Sequence, residues 1–307
     1  MRRLLAFLAL AGALMAAGNK PERNRTRVRV PVWSEEGKPL PAEVEARIEG
    51  AKAPVHAVRG PSDELIVIVV FDLVGDLALV GPARDALIES VQALPANAWV
   101  GLMRAQDGLR VLLDPTGDRP AAVEAIRNLP VSGRPGLLDT VDQAVQLADL
   151  VARKAAVRLA VLYLTDSNIY GYREDYTNPV VNSSDQRDLS RRFPEGLIRE
   201  KISRLENSLA ALEVPLFITH LSWQRDRLNE AYQTGLLQLA QVTGGTAAFC
   251  RTLAEVPEVV RRTMDRIVNH STLEVELPYR PLKNVQVVIE AGGLPLNYRT
   301  RFVLKER

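Results

Sequence analysis

The sequence predicts an α/β protein built on a doubly wound, mostly parallel sheet, with a small flanking β layer. Continuous apolar runs rich in Ile and Val, such as Leu65–Phe71, Val157–Leu164 and Val214–Leu221, are typical of strands buried on both faces. Segments with helical periodicity alternate with these runs, which is the pattern of parallel βαβ units. Near both ends of the chain the apolar period returns to two, as in half-buried strands.

Residues 1–18 have the composition of a secretory signal peptide. Arg2 and Arg3 supply the positive charge, Leu4–Leu14 is an apolar run, and small residues follow at 16–18. The apolar run is shorter than the roughly 20 residues that a membrane-spanning helix needs. We therefore expect an exported protein, periplasmic or extracellular, with an uncleaved anchor as the alternative. No later segment has the sequence of an integral membrane span.

The charge balance and the motifs exclude several classes of function. With 39 basic and 37 acidic residues, the chain lacks the charge excess of a nucleic-acid-binding protein. The three histidines are scattered, and the chain lacks the serine nucleophile elbow, the zinc-protease helix motif and the phosphate-binding loop. The single Cys250 permits no internal disulfide, and we predict a buried, inert thiol, with an intermolecular disulfide as the alternative. The chain is therefore predicted not to be an enzyme.

The alternating segments at the two ends predict β segments at residues 19–62 and 271–307, on either side of a domain at 63–270. Because they flank the same domain, we expect them to pair in one β layer. Pro54–Val58 is the expected hairpin partner of the second strand. The predicted strands are Arg27–Trp33, Glu43–Ile48, Thr272–Leu277, Asn284–Glu290 and Tyr298–Leu304.

Within residues 63–270, the first strand ends on Asp72, and a short turn leads to a helix predicted over 82–94, because Pro82 favours a first helical turn. Leu109–Leu113 is predicted to be an antiparallel edge strand. The remaining predicted strands are Trp99–Met103 and Thr246–Cys250, and the remaining helices are Asp118–Leu129, Gly136–Ala152, Glu195–Leu212, Leu228–Val242 and Ala254–Val268.

A long polar stretch, residues 167–194, follows the strand that ends at Asp166. It contains Tyr170, Tyr172 and Tyr176 among Asn and Ser residues and lacks a regular period. Loops of this length inside a compact domain are usually functional or disordered. Tyrosine with Asn and Ser is the composition of recognition loops. We therefore predict a partner-binding loop.

Four motifs occur in a characteristic order along the chain: Ile68–Asp76, Gly133–Asp139, Leu162–Ser167 and Leu239–Phe249. Together they resemble the von Willebrand factor type A (VWA) domain. The chain is most similar to exported bacterial VWA-related proteins, which carry a β segment before the domain and a β tail after it. The resemblance covers roughly residues 26–304. It implies a protein-binding fold whose ligand site is a metal-ion-dependent adhesion site.

The resemblance assigns metal-ligand positions, which this sequence fills only in part. The family's first loop is Asp-x-Ser-x-Ser, a second loop supplies Thr, and a third supplies Asp, which together suit the oxygen preference of Mg²⁺. Asp72 and Asp166 match the two aspartates, and Asp76 replaces the second serine. Val74 stands at the first serine, and the threonine position falls near Pro135. The site is thus degenerate, and we expect no cofactor, with Mg²⁺ as the alternative.

Three carboxylates without a cation would repel one another and raise their own pKa values. Arg134 is the candidate for charge replacement, since a guanidinium forms bidentate contacts with Asp72 or Asp166. The alternative is that Arg134 and Asp76 are solvated turn residues, while Asp72 and Asp166 cap the N-termini of neighbouring helices.

These observations predict an exported, non-enzymatic VWA-type module that binds a protein partner without metal, through the loop at 167–194. Two alternatives remain open. A structural subunit of a cell-envelope assembly would use the β layer as its contact surface. A metal-dependent hydrolase would need the carboxylates to hold a divalent ion. The sequence does not identify the partner.

Overall fold

The computed structural model describes residues 27–41, 43–74, 76–172, 194–277 and 284–304. Its helices, in chain order, are α1 (Leu77–Gln92), α2 (Arg119–Arg127), α3 (Leu137–Lys154), α4 (Pro194–Leu209), α5 (Arg227–Thr243) and α6 (Val256–Asn269). Its strands are β1 (Arg27–Trp33), β2 (Glu45–Ile48), β3 (Ala51–Ala53), β4 (Val55–Arg59), β5 (Leu65–Asp72), β6 (Ala98–Arg104), β7 (Arg110–Thr116), β8 (Arg158–Thr165), β9 (Leu216–His220), β10 (Ala247–Phe249), β11 (Ser271–Glu276), β12 (Asn284–Glu290), β13 (Asn297–Tyr298) and β14 (Arg301–Val303).

The central sheet has six strands in the order β10-β9-β8-β5-β6-β7. Five are parallel, and β7 pairs antiparallel with β6 at the edge, as its sequence predicts. Helices α3, α4 and α5 cover one face and α1, α2 and α6 the other. Every residue of β5 and β8 is therefore buried, which explains why both strands are continuous apolar runs. The predicted doubly wound α/β class is confirmed.

The flanking strands form two sheets rather than the single layer that was predicted. One has the order β13-β1-β11-β4 and the other β14-β12-β2-β3. Apolar side chains from both, such as Val30 and Leu273 from the first and Ile48 and Val287 from the second, share one core. We call this unit the β sandwich. Because β1 pairs with β11, the N-terminal and C-terminal segments build it together.

The prediction that Pro54–Val58 is the hairpin partner of β2 is wrong. Glu49 and Gly50 both have positive φ, which makes a tight two-residue turn, and β3 immediately returns along β2. Pro54 then carries the chain across to the other sheet, where β4 pairs with β11. The sequence period alone did not reveal the tight turn, since Glu is an unusual residue at positive φ.

Helix α1 also begins earlier than predicted, at Leu77 rather than at residue 82. Asp76 is its N-cap, and the carboxylate accepts a hydrogen bond from the Ala78 amide at 3.1 Å. Pro82 consequently lies inside the helix, in the second turn, where it forfeits one backbone hydrogen bond. The capping carboxylate, not the proline, sets the start of this helix.

The guanidinium of Arg158 joins the central sheet to the β sandwich. Arg158 opens β8 and is fully buried. It donates to the carbonyl oxygens of Val268 (2.7 Å), His270 (2.8 Å), Asp63 (3.0 Å) and Pro61 (3.1 Å). Burial lowers its pKa to about 10, so it remains charged at neutral pH. These carbonyls belong to the two chain segments that cross between the units, so one side chain holds both crossings.

Further hydrogen bonds fix the β sandwich against the α/β unit. The Trp33 indole donates to the Gly244 carbonyl at 3.0 Å. The buried Arg299 guanidinium donates to the carbonyl oxygens of Leu212 (2.7 Å) and Ala210, just beyond the end of α4. Carbonyls at the C-terminal end of a helix lack partners inside the helix, and Arg299 supplies donors to two of them just beyond α4.

Cys250 is a free, buried cysteine, as predicted. Burial raises the pKa of its thiol to about 12, which makes the thiol unreactive at neutral pH.

Within the described ranges, no helix combines the length and apolar character needed to cross a membrane.

We expect Arg158→Met to lower the free energy of unfolding by about 2 kcal/mol or more, because the carbonyls of Val268 and His270 would lose their side-chain donor. The carbonyls of Pro61 and Asp63 would keep a second donor, the side-chain amide of Asn97. The measurement is urea-induced unfolding followed by circular dichroism. Arg47→Met, at an exposed site on β2, is the control and should change stability by less than about 0.5 kcal/mol. Equal effects of the two variants would contradict the assigned role of Arg158.

Candidate functional site

The carboxyl ends of the parallel strands and the N-termini of α1, α3, α5 and α6 meet at one edge of the central sheet. Open α/β sheets bind their ligands at this edge. We call it the carboxyl edge. Its described segments are residues 72–74, 76–77, 104–109, 131–136, 165–172, 221–226 and 250–255.

Asp72 is the central acceptor of the carboxyl edge, at the end of β5, and is completely buried. One carboxylate oxygen accepts the Gly136 amide at 2.8 Å. The other accepts the Leu137 amide at 3.3 Å and the Thr165 hydroxyl at 3.2 Å. Burial raises the pKa of Asp72 to about 6, although these hydrogen bonds oppose the shift. Asp72 therefore caps the N-terminus of α3, which is one of the two roles considered for it from the sequence.

Gly136 makes this contact feasible. It is the N-cap residue of α3 and has no side chain with which to cap the helix. A Cβ atom at this position would overlap the carbonyl oxygen of Ala105. The cap must therefore come from elsewhere in the fold, and Asp72 supplies it from the neighbouring strand.

Asp166 and Asp76 also accept backbone amides. Asp166 accepts the Val74 amide at 2.7 Å and the Asp76 amide at 3.0 Å, which fixes the turn between β5 and α1. Asp76 in turn caps α1. The structure thus brings the three predicted carboxylates to one edge, but each accepts hydrogen bonds from a different backbone segment.

Arg134 does not replace a metal ion in the way the sequence suggested. Its side chain is exposed, and the pairing with Asp72 or Asp166 is not formed. Its backbone exchanges hydrogen bonds with Asp107 instead, at 3.3 and 3.4 Å. The physical reason is burial: Asp72 lies inside the fold, where amides of α3 and a hydroxyl reach it, while Arg134 lies on a surface loop.

A chain of buried hydroxyls extends the site behind Asp72. Thr165 contacts Ser167 at 2.7 Å, Ser167 contacts Tyr232 at 3.0 Å, and Tyr232 contacts Tyr172 at 3.0 Å. Burial raises the pKa values of both tyrosines, so they stay protonated. Sequence reasoning missed this network. Thr165 and Ser167 are signalled by polar residues after a buried strand, but Tyr232 has the helical spacing of an ordinary core residue.

His220, at the end of β9, is a structural residue. One ring nitrogen donates to the Ser167 carbonyl at 2.8 Å, and the other accepts the Ser222 amide at 3.2 Å. Burial lowers its pKa to about 4, so the ring is neutral. With both nitrogens occupied, His220 has no free atom for acid–base chemistry.

The three tyrosines of the predicted partner-binding loop have different environments. Tyr170 is 54% exposed, and its hydroxyl donates to Asp226 at 2.7 Å. Tyr172 is buried in the hydroxyl network, which corrects the prediction that it faces a partner. Its ring packs edge-to-face on Tyr232, so its apolar body is better placed inside the core. Tyr176 lies outside the described residues.

The residues at the edge do not fit a Mg²⁺ site. Val74 and Pro135 offer no side-chain oxygen where the family has hydroxyls. Asp72 and Asp166 direct their oxygens at amides, and Asp76 caps its own helix. Within residues that the structure describes, no group of three or more His, Cys, Asp or Glu side chains is arranged to hold a metal ion.

No family model and no curated protein matches the sequence. Solved structures similar in fold include a von Willebrand factor type A protein from Catenulispora acidiphila, 13% identical over 94% of this chain and 76% of that one, with a TM-score of 0.47. Others are BatB from Bacteroides thetaiotaomicron (13% identity, 66% and 98% covered, TM-score 0.41) and the VWA domain of SpRpn10 (15%, 64% and 93%, TM-score 0.39). The chain is thus similar to VWA domains, and at such identities the similarity concerns the fold alone.

We expect divalent cations to leave the thermal stability unchanged, because the carboxylate oxygens already have backbone donors. The measurement is the melting temperature of the chain from residue 19 in EDTA, Mg²⁺, Ca²⁺ and Mn²⁺. A bound ion at a hundredfold excess over Kd would add about 2.7 kcal/mol. A rise in melting temperature that Asp166→Asn abolishes, and that the exposed control Asp85→Asn retains, would contradict the expectation.

Asp72 should make stability depend on pH in a definite direction. Its pKa in the folded state, about 6, lies above the ordinary value of 3.8, so the folded state binds this proton more tightly. Its contribution to stability therefore grows as pH falls from 7 to 4, by about 2 kcal/mol.

The comparison is with Asp72→Asn, which lacks this proton but retains His220 and His270, whose lowered pKa values act in the opposite direction. Urea unfolding of both proteins between pH 4 and pH 7 isolates the Asp72 contribution. A difference in stability that stays constant with pH would refute the raised pKa.

Proposed function

We propose that this chain is a non-enzymatic protein-binding module whose partner binds at the carboxyl edge. The observation that carries the proposal is the position of its exposed hydrophobic side chains. Five large ones are exposed among the described residues: Leu77, Tyr170, Leu253, Leu150 and Val58. The first three follow β5, β8 and β10 and lie at the carboxyl edge, with Leu77 as much as 72% exposed.

Single exposed hydrophobic residues are ordinary, so the proposal rests on three of the five lying at the edge where open α/β sheets bind their ligands. The segments that present them are fixed in place. Asp166 holds the turn before Leu77, and the Tyr170 hydroxyl is bonded to Asp226. A surface that is already ordered loses less conformational entropy when a partner binds, which favours affinity.

Metal independence is part of the proposal. In an adhesion site, a cation organises the loops and presents a charge to the ligand. Here the loops are organised by hydrogen bonds from amides and hydroxyls to Asp72 and Asp166. An ion would have to displace these donors in order to bind.

Several features support a non-enzymatic role. The buried Asp72 carboxylate and the neutral His220 ring are both saturated with protein hydrogen bonds. Hydrolysis assisted by carboxylates would require a metal, and the donor set does not suit one. The hydrolase alternative therefore lacks support.

We place the protein outside the cytoplasm, on the strength of the signal-like residues 1–18. The alternative role, a structural subunit that uses the β sandwich, has no specific observation in its favour. The outward positions of the described sandwich strands are mainly polar, as in Glu45, Arg47, Gln286 and Glu290. A stable contact surface would need more apolar area.

The proposal is tested with a photo-crosslinking amino acid placed singly at Leu77, Tyr170 and Leu253 in cells of the source organism. Leu150 and Val58 are matched controls, because they are exposed hydrophobic sites away from the carboxyl edge. We expect all three edge positions to crosslink the same protein, in EDTA as well as in Mg²⁺. Crosslinks formed only from the two control positions would exclude the carboxyl edge.

With that partner purified, Leu77→Asp combined with Leu253→Asp should weaken its binding by roughly tenfold or more, since both changes place a charge in an apolar contact. Leu150→Asp combined with Val58→Asp should leave the affinity unchanged.

A further inference from the structure

We infer that the partner contacts the exposed ring of Tyr170 and donates hydrogen bonds to the oxygens of Tyr170 and Asp226, and that Asn229 is the positioning residue that holds both side chains in place. The inference rests on the proposed function and specifies the chemistry of the partner. It follows from the hydrogen bonds that join the turn after β8 to the first turn of α5.

Tyr170 is an exposed residue between buried ones. It lies in a one-turn 3₁₀ helix, Ile169–Gly171, and is 54% exposed, whereas Ile169 and Tyr172 are buried. The Tyr170 amide also donates to the Asn168 side chain at 3.0 Å. The backbone on both sides of Tyr170 is thus fixed in the fold, while the ring is accessible to a partner.

Asn229 joins this turn to α5 with both ends of its side-chain amide, and it is only 2% exposed. Its Oδ1 atom accepts the Ile169 amide at 2.9 Å, and its Nδ2 atom donates to Oδ2 of Asp226 at 2.7 Å. One orientation of the amide places an acceptor against the N–H group and a donor against the carboxylate. A side chain that only accepts, or one without polar atoms, would lose at least one of these contacts.

Asp226 completes a closed ring of hydrogen bonds. As the N-cap of α5, its Oδ1 atom accepts the Asn229 backbone amide at 3.1 Å, and it also accepts the Tyr170 hydroxyl at 2.7 Å. Burial alone would raise the pKa of Asp226, but the hydrogen bonds from Asn229 and Tyr170 outweigh burial and keep the pKa below its ordinary value. The carboxylate is therefore ionised at neutral pH and holds the Tyr170 proton in a hydrogen bond.

These hydrogen bonds decide what Tyr170 offers to a partner. A phenol has one donor, which Asp226 already accepts, but the phenol oxygen and the carboxylate retain lone pairs. The polar atoms at this position are therefore acceptors. A partner that supplies N–H or O–H donors and apolar contact with the ring matches them. A partner carboxylate would meet a like charge and no free proton.

The same hydrogen bonds favour affinity. A tyrosine side chain has two rotatable bonds, so a fixed backbone and a fixed hydroxyl together fix the ring. A residue that is already held in its binding orientation loses little conformational entropy when a partner binds. Because Asn229 is buried, it would affect binding through Tyr170 and Asp226 rather than by touching the partner.

The test places a photo-crosslinking amino acid at Leu77 of the full chain, in cells of the source organism, and measures the yield of the crosslinked adduct per amount of chain. The yield is compared among the otherwise unchanged chain, Tyr170→Phe, Asn229→Ala and both changes together. Tyr298→Phe is the matched control, because this hydroxyl also forms a hydrogen bond, with the Ile289 amide in the β sandwich. Melting temperatures show which variants are folded, and Asn229→Ser replaces Asn229→Ala if the latter is not.

We expect Tyr170→Phe and Asn229→Ala each to lower the adduct yield roughly fivefold, as for the loss of one hydrogen bond. The combined change should lower the yield by clearly less than the product of the two, since Asn229 acts through Tyr170. Tyr298→Phe should leave the yield unchanged. A loss in Asn229→Ala without one in Tyr170→Phe, or fully multiplicative losses, would overturn the inference and leave the carboxyl edge as a binding site.

The donor chemistry is tested with Asp226→Asn, which keeps a good N-cap but replaces one acceptor oxygen by a donor group. We expect a lower adduct yield. An unchanged or higher yield would show that the partner does not donate to this carboxylate. Absence of any adduct from Leu77 in the otherwise unchanged chain would instead contradict the proposed function and this inference together.

A spectroscopic measurement separates positioning from general stability. Nuclear magnetic resonance of isotope-labelled tyrosine follows the ionisation of Tyr170, whose signal is the one that Tyr170→Phe removes. The hydrogen bond to Asp226 raises the pKa of Tyr170. We expect Asn229→Ala to lower this pKa towards its ordinary value, because Asp226 loses the donor that holds it. A Tyr170 pKa that Asn229→Ala leaves unchanged would overturn the positioning role of Asn229.

Discussion

The junction between the central sheet and the β sandwich depends on a buried cation, Arg158, that is paired with carbonyl groups instead of a carboxylate. Arg158 is in the interior because it opens a strand that is buried on both faces, and its charge is accommodated by four backbone oxygens. Carbonyl dipoles compensate a buried guanidinium without adding an opposite charge. The entry to the α/β unit and the exit from it are thereby held at a fixed distance.

At the other end of the sheet, negatively charged carboxylates hold backbone segments in place. There, buried and half-buried carboxylates collect amides, just as the arginines at the sandwich collect carbonyls. Side chains at the positions that the resemblance assigns to metal ligands accept hydrogen bonds from backbone groups in this chain. The resemblance to VWA domains located the carboxyl edge correctly, but the hydrogen bonds decide what the residues at that edge can do.

Much of the fold was predictable because local patterns agree with tertiary burial. The apolar runs predicted the central strands. Asp72 and Asp166 were identified as site residues because they are polar residues at the ends of two of these runs. Errors arose where a helix cap, a tight turn or a distant side chain decides the outcome. The start of α1 depends on Asp76, the hairpin of β2 on the backbone of Glu49 and Gly50, and the burial of Tyr172 on Tyr232. Hydrophobic periodicity specifies none of these three features. The cap and the turn depend on single residues, and Tyr172 and Tyr232 lie far apart in the sequence.

The pairing of β1 with β11 has a consequence for the order in which the protein folds. Arg27 lies opposite Glu276, so these neighbours in space are separated by almost the whole chain. Contacts of this kind form late, since closing the intervening loop costs entropy before the contact is gained. During synthesis, β1 and β4 must wait with unpaired edges until β11 emerges, while the α/β unit between them can fold first. A chain that stops before β11 would keep two open strand edges, which invite aggregation and degradation. The β sandwich therefore cannot be completed until the strands after the α/β unit have been synthesised.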